Sequence, residues 1–128
     1  MSEHGRVLIV DDSAGNRALL TKLLEPQGYI VQSAANGRDA LAILANQPID
    51  VVLLDFVMPE MDGLAVLKII QIDVRMREIP VLIVSAYYEA AQIAACIEQG
   101  AVDYITKPFE RVILSSACAC VSSGDARG

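Results

Sequence analysis

Val51-Val52-Leu53-Leu54 is apolar at all four positions. A strand with no polar face has to be covered on both sides, which is the condition of a parallel strand in a sheet sandwiched between helices. Arg6 to Val10 and Val81 to Val84 read the same way, and Tyr29 to Ala34 and Val102 to Thr106 supply two further β-rich segments. Between these runs the hydrophobic spacing changes to that of helices. Ser13 to Glu25 puts Leu19, Leu20, Leu23 and Leu24 on one face before Pro26 and Gly28 stop it. After an Asn36-Gly37 turn, Arg38 to Asn46 carries Ala40, Leu41 and Leu44, and from Gly63 onward Leu64, Leu67 and Ile70 recur on one side. Glu89 to Gln99 forms a fourth helical segment with Gly100 placed as its C′ residue, and a last helix is expected from about Glu110 to Val121. Strand and helix alternating with short connections predict an α/β fold: a doubly wound, five-stranded parallel sheet with helices on both faces and right-handed crossovers.

At 128 residues the chain has room for one core. Residues 1–121 are expected to form one domain, with Ser122 to Gly128 as a flexible tail or the start of a linker. The net charge of −6 argues against nucleic acid or an anionic membrane as a direct partner, because both are polyanions. Val7-Leu8-Ile9-Val10 is far shorter than a signal-peptide core or a membrane span, and two aspartates follow it, so the expected location is the cytoplasm. Cys96, Cys118 and Cys120 are odd in number and lack zinc-type spacing, and His4 is the single histidine. They are expected to be free thiols in a reducing compartment.

Parallel α/β sheets bind ligands beyond the carboxyl ends of their strands, near the point where strand order reverses. At those ends lie Asp11 and Asp12 after the first strand, Asp55 after the third, Ser85 after the fourth and Lys107-Pro108 after the fifth. Two carboxylates about 5 Å apart repel by roughly 3 kcal/mol at an effective dielectric near ~20, so three in one crevice call for a raised pKa or a bound cation. An all-oxygen cluster without sulphur or histidine selects a hard ion, Mg2+ before zinc. No organic cofactor is expected: a flavin would need a hydroxyl- and glycine-rich loop where this chain has two acids. Phe56, Met58 and Met61 read as loop packing, and Gly63 as an unstrained helix entry.

At these residues the chain resembles bacterial response-regulator receiver domains, a CheY-like, flavodoxin-like family. Val10-Asp11-Asp12-Ser13 is similar to the family's acidic pair, and Leu53 to Gly63 resembles its phosphoacceptor signature throughout. Val84-Ser85-Ala86 and Asp103-Tyr104-Ile105-Thr106-Lys107-Pro108-Phe109 follow in the family's order, and the similarity spans about residues 6 to 112. The resemblance implies that Asp55 takes a phosphoryl group from a histidine kinase or histidine phosphotransfer protein in a Mg2+-dependent reaction. It further implies that Asp12 binds Mg2+ directly, Asp11 through water and Val57 through its backbone carbonyl, together with Asp55 itself. Lys107 would contact a phosphoryl oxygen, Ser85 and Tyr104 would form the switch pair, and Lys107-Pro108 is a candidate cis peptide. Such a chain signals to a partner or attached output domain and catalyses only its own phosphorylation and slow dephosphorylation. Two rival readings share the motif: an aspartyl-phosphate hydrolase, which usually has a second acid where this chain has Val57, and a receiver that only docks. After Phe109 the resemblance fades, because Arg111 to Val121 has one charge and a poor helical stripe.

Overall fold

A computed structural model describes residues 5–58, 60–86 and 89–106. They form β1 (Arg6–Val10), α1 (Ala14–Leu24), a 3-10 turn (Glu25–Gln27), β2 (Ile30–Ala34), α2 (Gly37–Asn46), β3 (Val51–Leu54), α3 (Gly63–Ile72), β4 (Val81–Ser85), α4 (Ala90–Glu98) and β5 (Asp103–Thr106). The five strands make one sheet in the order β2-β1-β3-β4-β5, parallel throughout. The expected helix from Glu110 to Val121, Lys107-Pro108, Cys118, Cys120, His4 and the tail lie outside the described residues.

The period of two in the central strands divides the apolar residues into two cores. Leu8, Val10, Val52, Leu54, Val81 and Ile83 face one way, where α2, α3 and α4 cover them with Ala40, Leu44, Val66, Leu67, Ile70 and Cys96. Val7, Ile9, Val51, Leu53, Leu82 and Val84 face the other way, and among the described helices α1 covers that side with Leu20 and Leu24. Every residue of β3 is buried, as its unbroken apolar sequence requires. By contrast β2 pairs only with β1, and this edge position leaves Ile30 and Ser33 exposed.

Element boundaries differ from the sequence expectation by one residue at several ends, and capping explains most of the differences. Ser13 stands outside α1 as its N-cap, its hydroxyl accepting from the Asn16 amide at 3.2 Å. Asn36 caps α2 in the same way, accepting from the Asp39 amide at 2.8 Å, so Gly37 belongs to the helix and not to a separate turn. Glu89 and Gln99 flank α4, and Gly100 sits at φ 110 in the left-handed C′ position expected of it. β2 begins at Ile30 and β5 at Asp103, one residue later than expected, while β4 continues to Ser85. In α3 the buried stripe is Val66, Leu67 and Ile70, with Leu64 half-buried at its margin. Cys96 is a buried free thiol, and burial, followed by the negative charge of Asp62, pushes its pKa up and keeps it protonated.

Gly63 opens α3 as expected, and the lack of a side chain there has a further, steric reason. A Cβ there would lie 2.6 Å from the Asp55 carbonyl oxygen and 2.8 Å from the Phe56 Cα, both backbone atoms that cannot swing aside. The Gly63 amide also donates to the Phe56 carbonyl at 2.7 Å. Gly63→Ala gains at most about 1 kcal/mol of helix propensity, against an overpacking cost of about 3 kcal/mol that the rigid neighbours place at the upper end of the usual range. The expected outcome is a net loss of about 2 kcal/mol, read as a lower urea midpoint at unchanged slope.

Candidate functional site

The chain leaves β1 toward β2 on one side and later returns to place β3 on the other, so strand order reverses between the ends of β1 and β3. Val10 is paired with both Ala34 and Leu54, which puts the next residues of β1 and β3 side by side at the sheet's carboxyl edge. The Asp55 amide donates to the Val10 carbonyl at 2.8 Å, and the Asp11 amide donates to the Ala34 carbonyl at 3.1 Å. Asp11, 3% exposed, and Asp55, 7% exposed, are thereby fixed at the bottom of a crevice, while Asp12 lies at its mouth. The Asp11 Oδ1 also accepts from the Ser13 amide at 2.9 Å. Carboxylate oxygens of Asp11, Asp12 and Asp55 all lie within 4.8 Å of one another.

That donor set fits a hard divalent cation. Mg2+ holds its oxygens at about 2.1 Å, which puts ligand oxygens about 3 to 4 Å apart across its octahedron, so the three carboxylates need close in only slightly or span the remainder through water. Three carboxylates this close repel one another, and a divalent cation held among them would offset that repulsion. Val57, in the loop after Asp55, is 48% exposed, and Met58 behind it joins the core together with the partly buried Phe56 and Met61.

Ser85 ends β4 and is fully buried at 0% exposure. Leu54 pairs with Ile83 and Ser85 with Thr106, so Ser85 stands on the strand next to Asp55 at the same edge of the sheet. Tyr104 lies on β5 opposite Ile83, half-buried against the core, and its hydroxyl accepts from the Gln92 side-chain amide of α4. Asp11, Asp12 and Asp55 are therefore brought together, with Ser85 at the neighbouring strand end and Tyr104 set back from that edge on β5. Lys107 lies outside the described residues.

Two participants escaped the sequence reading. Gln92 is twelve residues before Tyr104, and nothing in the spacing marks it as a partner. Arg17 Nη1 donates to the Asp11 backbone carbonyl at 2.8 Å. Its place one turn into a helix that starts beside the acids was a usable signal.

A family profile described as the response regulator receiver domain matches residues 7–119. The two-component response regulator ORR5 of rice (Oryza sativa subsp. japonica) is 35% identical over 116 residues, 90% of this chain and 87% of that one. The regulatory protein AtoC of Escherichia coli strain K12 is 40% identical over 112 residues, which are 86% of this chain and 23% of AtoC. Among solved structures, the signal receiver domain of a signal transduction histidine kinase from Syntrophus aciditrophicus superimposes with a TM-score of 0.89 at 35% identity, covering 97% of this chain and 94% of that one. No described helix is long and apolar enough to cross a membrane.

Proposed function

The chain belongs to the response-regulator receiver-domain family of two-component signalling, and from that premise we propose that Asp55 is its phosphoacceptor and that the acids beside it hold Mg2+. The observation that carries this reading is the convergence of three carboxylates within 4.8 Å where the strand order reverses. The donor is a histidine kinase or a histidine phosphotransfer protein. When bound, Mg2+ would offset the repulsion between an anionic nucleophile and an anionic phosphoryl group and favour in-line displacement.

The remaining work falls to side chains of the protein. An Asp55 carboxylate oxygen forms the new P–O bond as the P–N bond to the donor imidazole breaks, and that nitrogen is left to take up a proton. Asp12 would hold the ion directly and Asp11 through water, with Asp55 itself and the Val57 carbonyl completing the protein's share. Lys107 brings a compact positive charge to a phosphoryl oxygen. Ser85 donates its hydroxyl to another, and Tyr104 follows it inward, giving up its Gln92 partner. The chain is thus a switch in the cytoplasm that catalyses only its own modification, read by a partner protein or an attached output domain.

The test is incubation of the chain with a small phosphodonor and Mg2+. One acid-labile phosphate per chain supports the receiver, steady phosphate release over many turnovers supports a hydrolase instead, and no incorporation leaves a docking module. The output face gives a further expectation. α4 reads AAQIAACIE and contains no basic residue, so it lacks the cations that a charge-latched dimer through this helix would use. Sedimentation of the phosphorylated form should show no dimer that dissociates as salt rises.

A further inference from the structure

We propose that Arg17 is a positioning residue for the cation site, an inference that rests on reading Asp11 and Asp12 as Mg2+ ligands. Arg17 is half-buried in α1, and its Nη1 donates to the Asp11 carbonyl at 2.8 Å. Its own amide donates to the Ser13 carbonyl at 3.0 Å, and the Ser13 amide donates to the Asp11 Oδ1 at 2.9 Å. The guanidinium therefore closes a ring of bonds around Asp11, Asp12 and Ser13.

The oxygen that Arg17 holds belongs to the peptide joining Asp11 to Asp12. Because a peptide is planar, fixing that oxygen fixes the plane from which Asp12 departs. Asp12 is exposed at the mouth of the crevice, where no packing directs it. An arginine fork normally finds a carboxylate, and Asp39 lines the same groove as Arg17 between α1 and α2. Yet among the described residues the ion pair is Arg38 with Glu60, at 4.0 Å on the surface, and Arg17 forms none. Its charged donor is committed to a backbone carbonyl beside the acids.

Two roles for this side chain predict opposite signs. If Arg17 acted only as a nearby positive charge, removing it would tighten cation binding, since like charges repel. As the clamp on the Asp11–Asp12 peptide, its removal loosens the ligands and weakens binding, as outer partners of metal ligands commonly do, by about tenfold or more.

The experiment is calorimetric titration of Mg2+ into the full chain, with urea melts in the absence of metal as the check on folding. Wild type should bind, Arg17→Ala should bind at least about tenfold more weakly, and Arg17→Lys should recover part of the loss because its ammonium can still reach a carbonyl. Arg17→Met keeps the apolar stem and carries the same expectation if the alanine variant does not fold. Binding by a folded Arg17→Ala or Arg17→Met variant as tight as wild type, or tighter, overturns the clamp while leaving Asp11 and Asp12 as ligands. A wild-type chain indifferent to Mg2+ overturns the parent reading along with it.

Discussion

Asp55→Asn should fold as the parent does and take up no phosphate. Asparagine has the shape of aspartate, so the buried position at the end of β3 keeps its packing and the hydrogen bond its backbone amide donates to the Val10 carbonyl. What changes is the chemistry: a neutral amide oxygen is a far weaker nucleophile than a carboxylate, and the crevice loses one of its three negative charges. The measurement is acid-labile phosphate per chain after equal time with the same donor and Mg2+, beside a circular dichroism spectrum and a melt. Equal labelling of the variant would remove Asp55 from the role. Labelling of neither protein would point to the docking module.

The second large effect concerns the metal itself. A ligand that binds only the folded state stabilises it by about 2.7 kcal/mol when present at about a hundred times its Kd, so Mg2+ at that excess should raise the wild-type urea midpoint accordingly. Asp12→Ala should abolish that gain. Without metal the same variant should be more stable than wild type by about 1 kcal/mol, because an exposed charge leaves a crowded acidic site and solvent already screens part of the repulsion. Asp11→Ala is different. It removes the same kind of charge, but its Oδ1 holds the Ser13 amide, and losing a buried acceptor from a backbone donor costs about as much as the relief returns. Its metal-free stability should stay near wild type. Urea melts of the three proteins with and without Mg2+ decide this, and a wild-type midpoint that ignores Mg2+ would contradict the cation site.

The central strands and the acids were legible because the signals there are single-valued. A four-residue run with no polar position admits one environment, and the bounds of β3 follow from it without adjustment. Asp11, Asp12 and Asp55 follow from strand ends alone, since parallel sheets gather such residues at one edge. The stripe of α3 was less clear because nearly all of its residues are apolar, so Leu64 and Val66 compete for the core and tertiary packing chooses Val66. At Gly63 the sequence showed a residue with no side chain, but which backbone atom fills that space depends on how α3 returns across β3. Gln92 meets Tyr104 only because α4 lies against β5, a contact between elements that no local pattern encodes.

The backbone around Asp55 has a consequence for how a modification there would be felt. Its amide is tied to Val10, its carbonyl lies directly beneath the bare Cα of Gly63, and the next carbonyl accepts the Gly63 amide. The root of the side chain is therefore a fixed point shared by β1, β3 and α3. A group added to a fixed root cannot be absorbed by recoil of the strand and extends outward like a longer pin in the same socket. Accommodation has to come from whatever borders the mouth: the exposed loop at Val57, and the end of β4 at Ser85. A rigid socket of this kind turns the arrival of a few atoms into a defined reach, which neighbouring strand ends can read as present or absent.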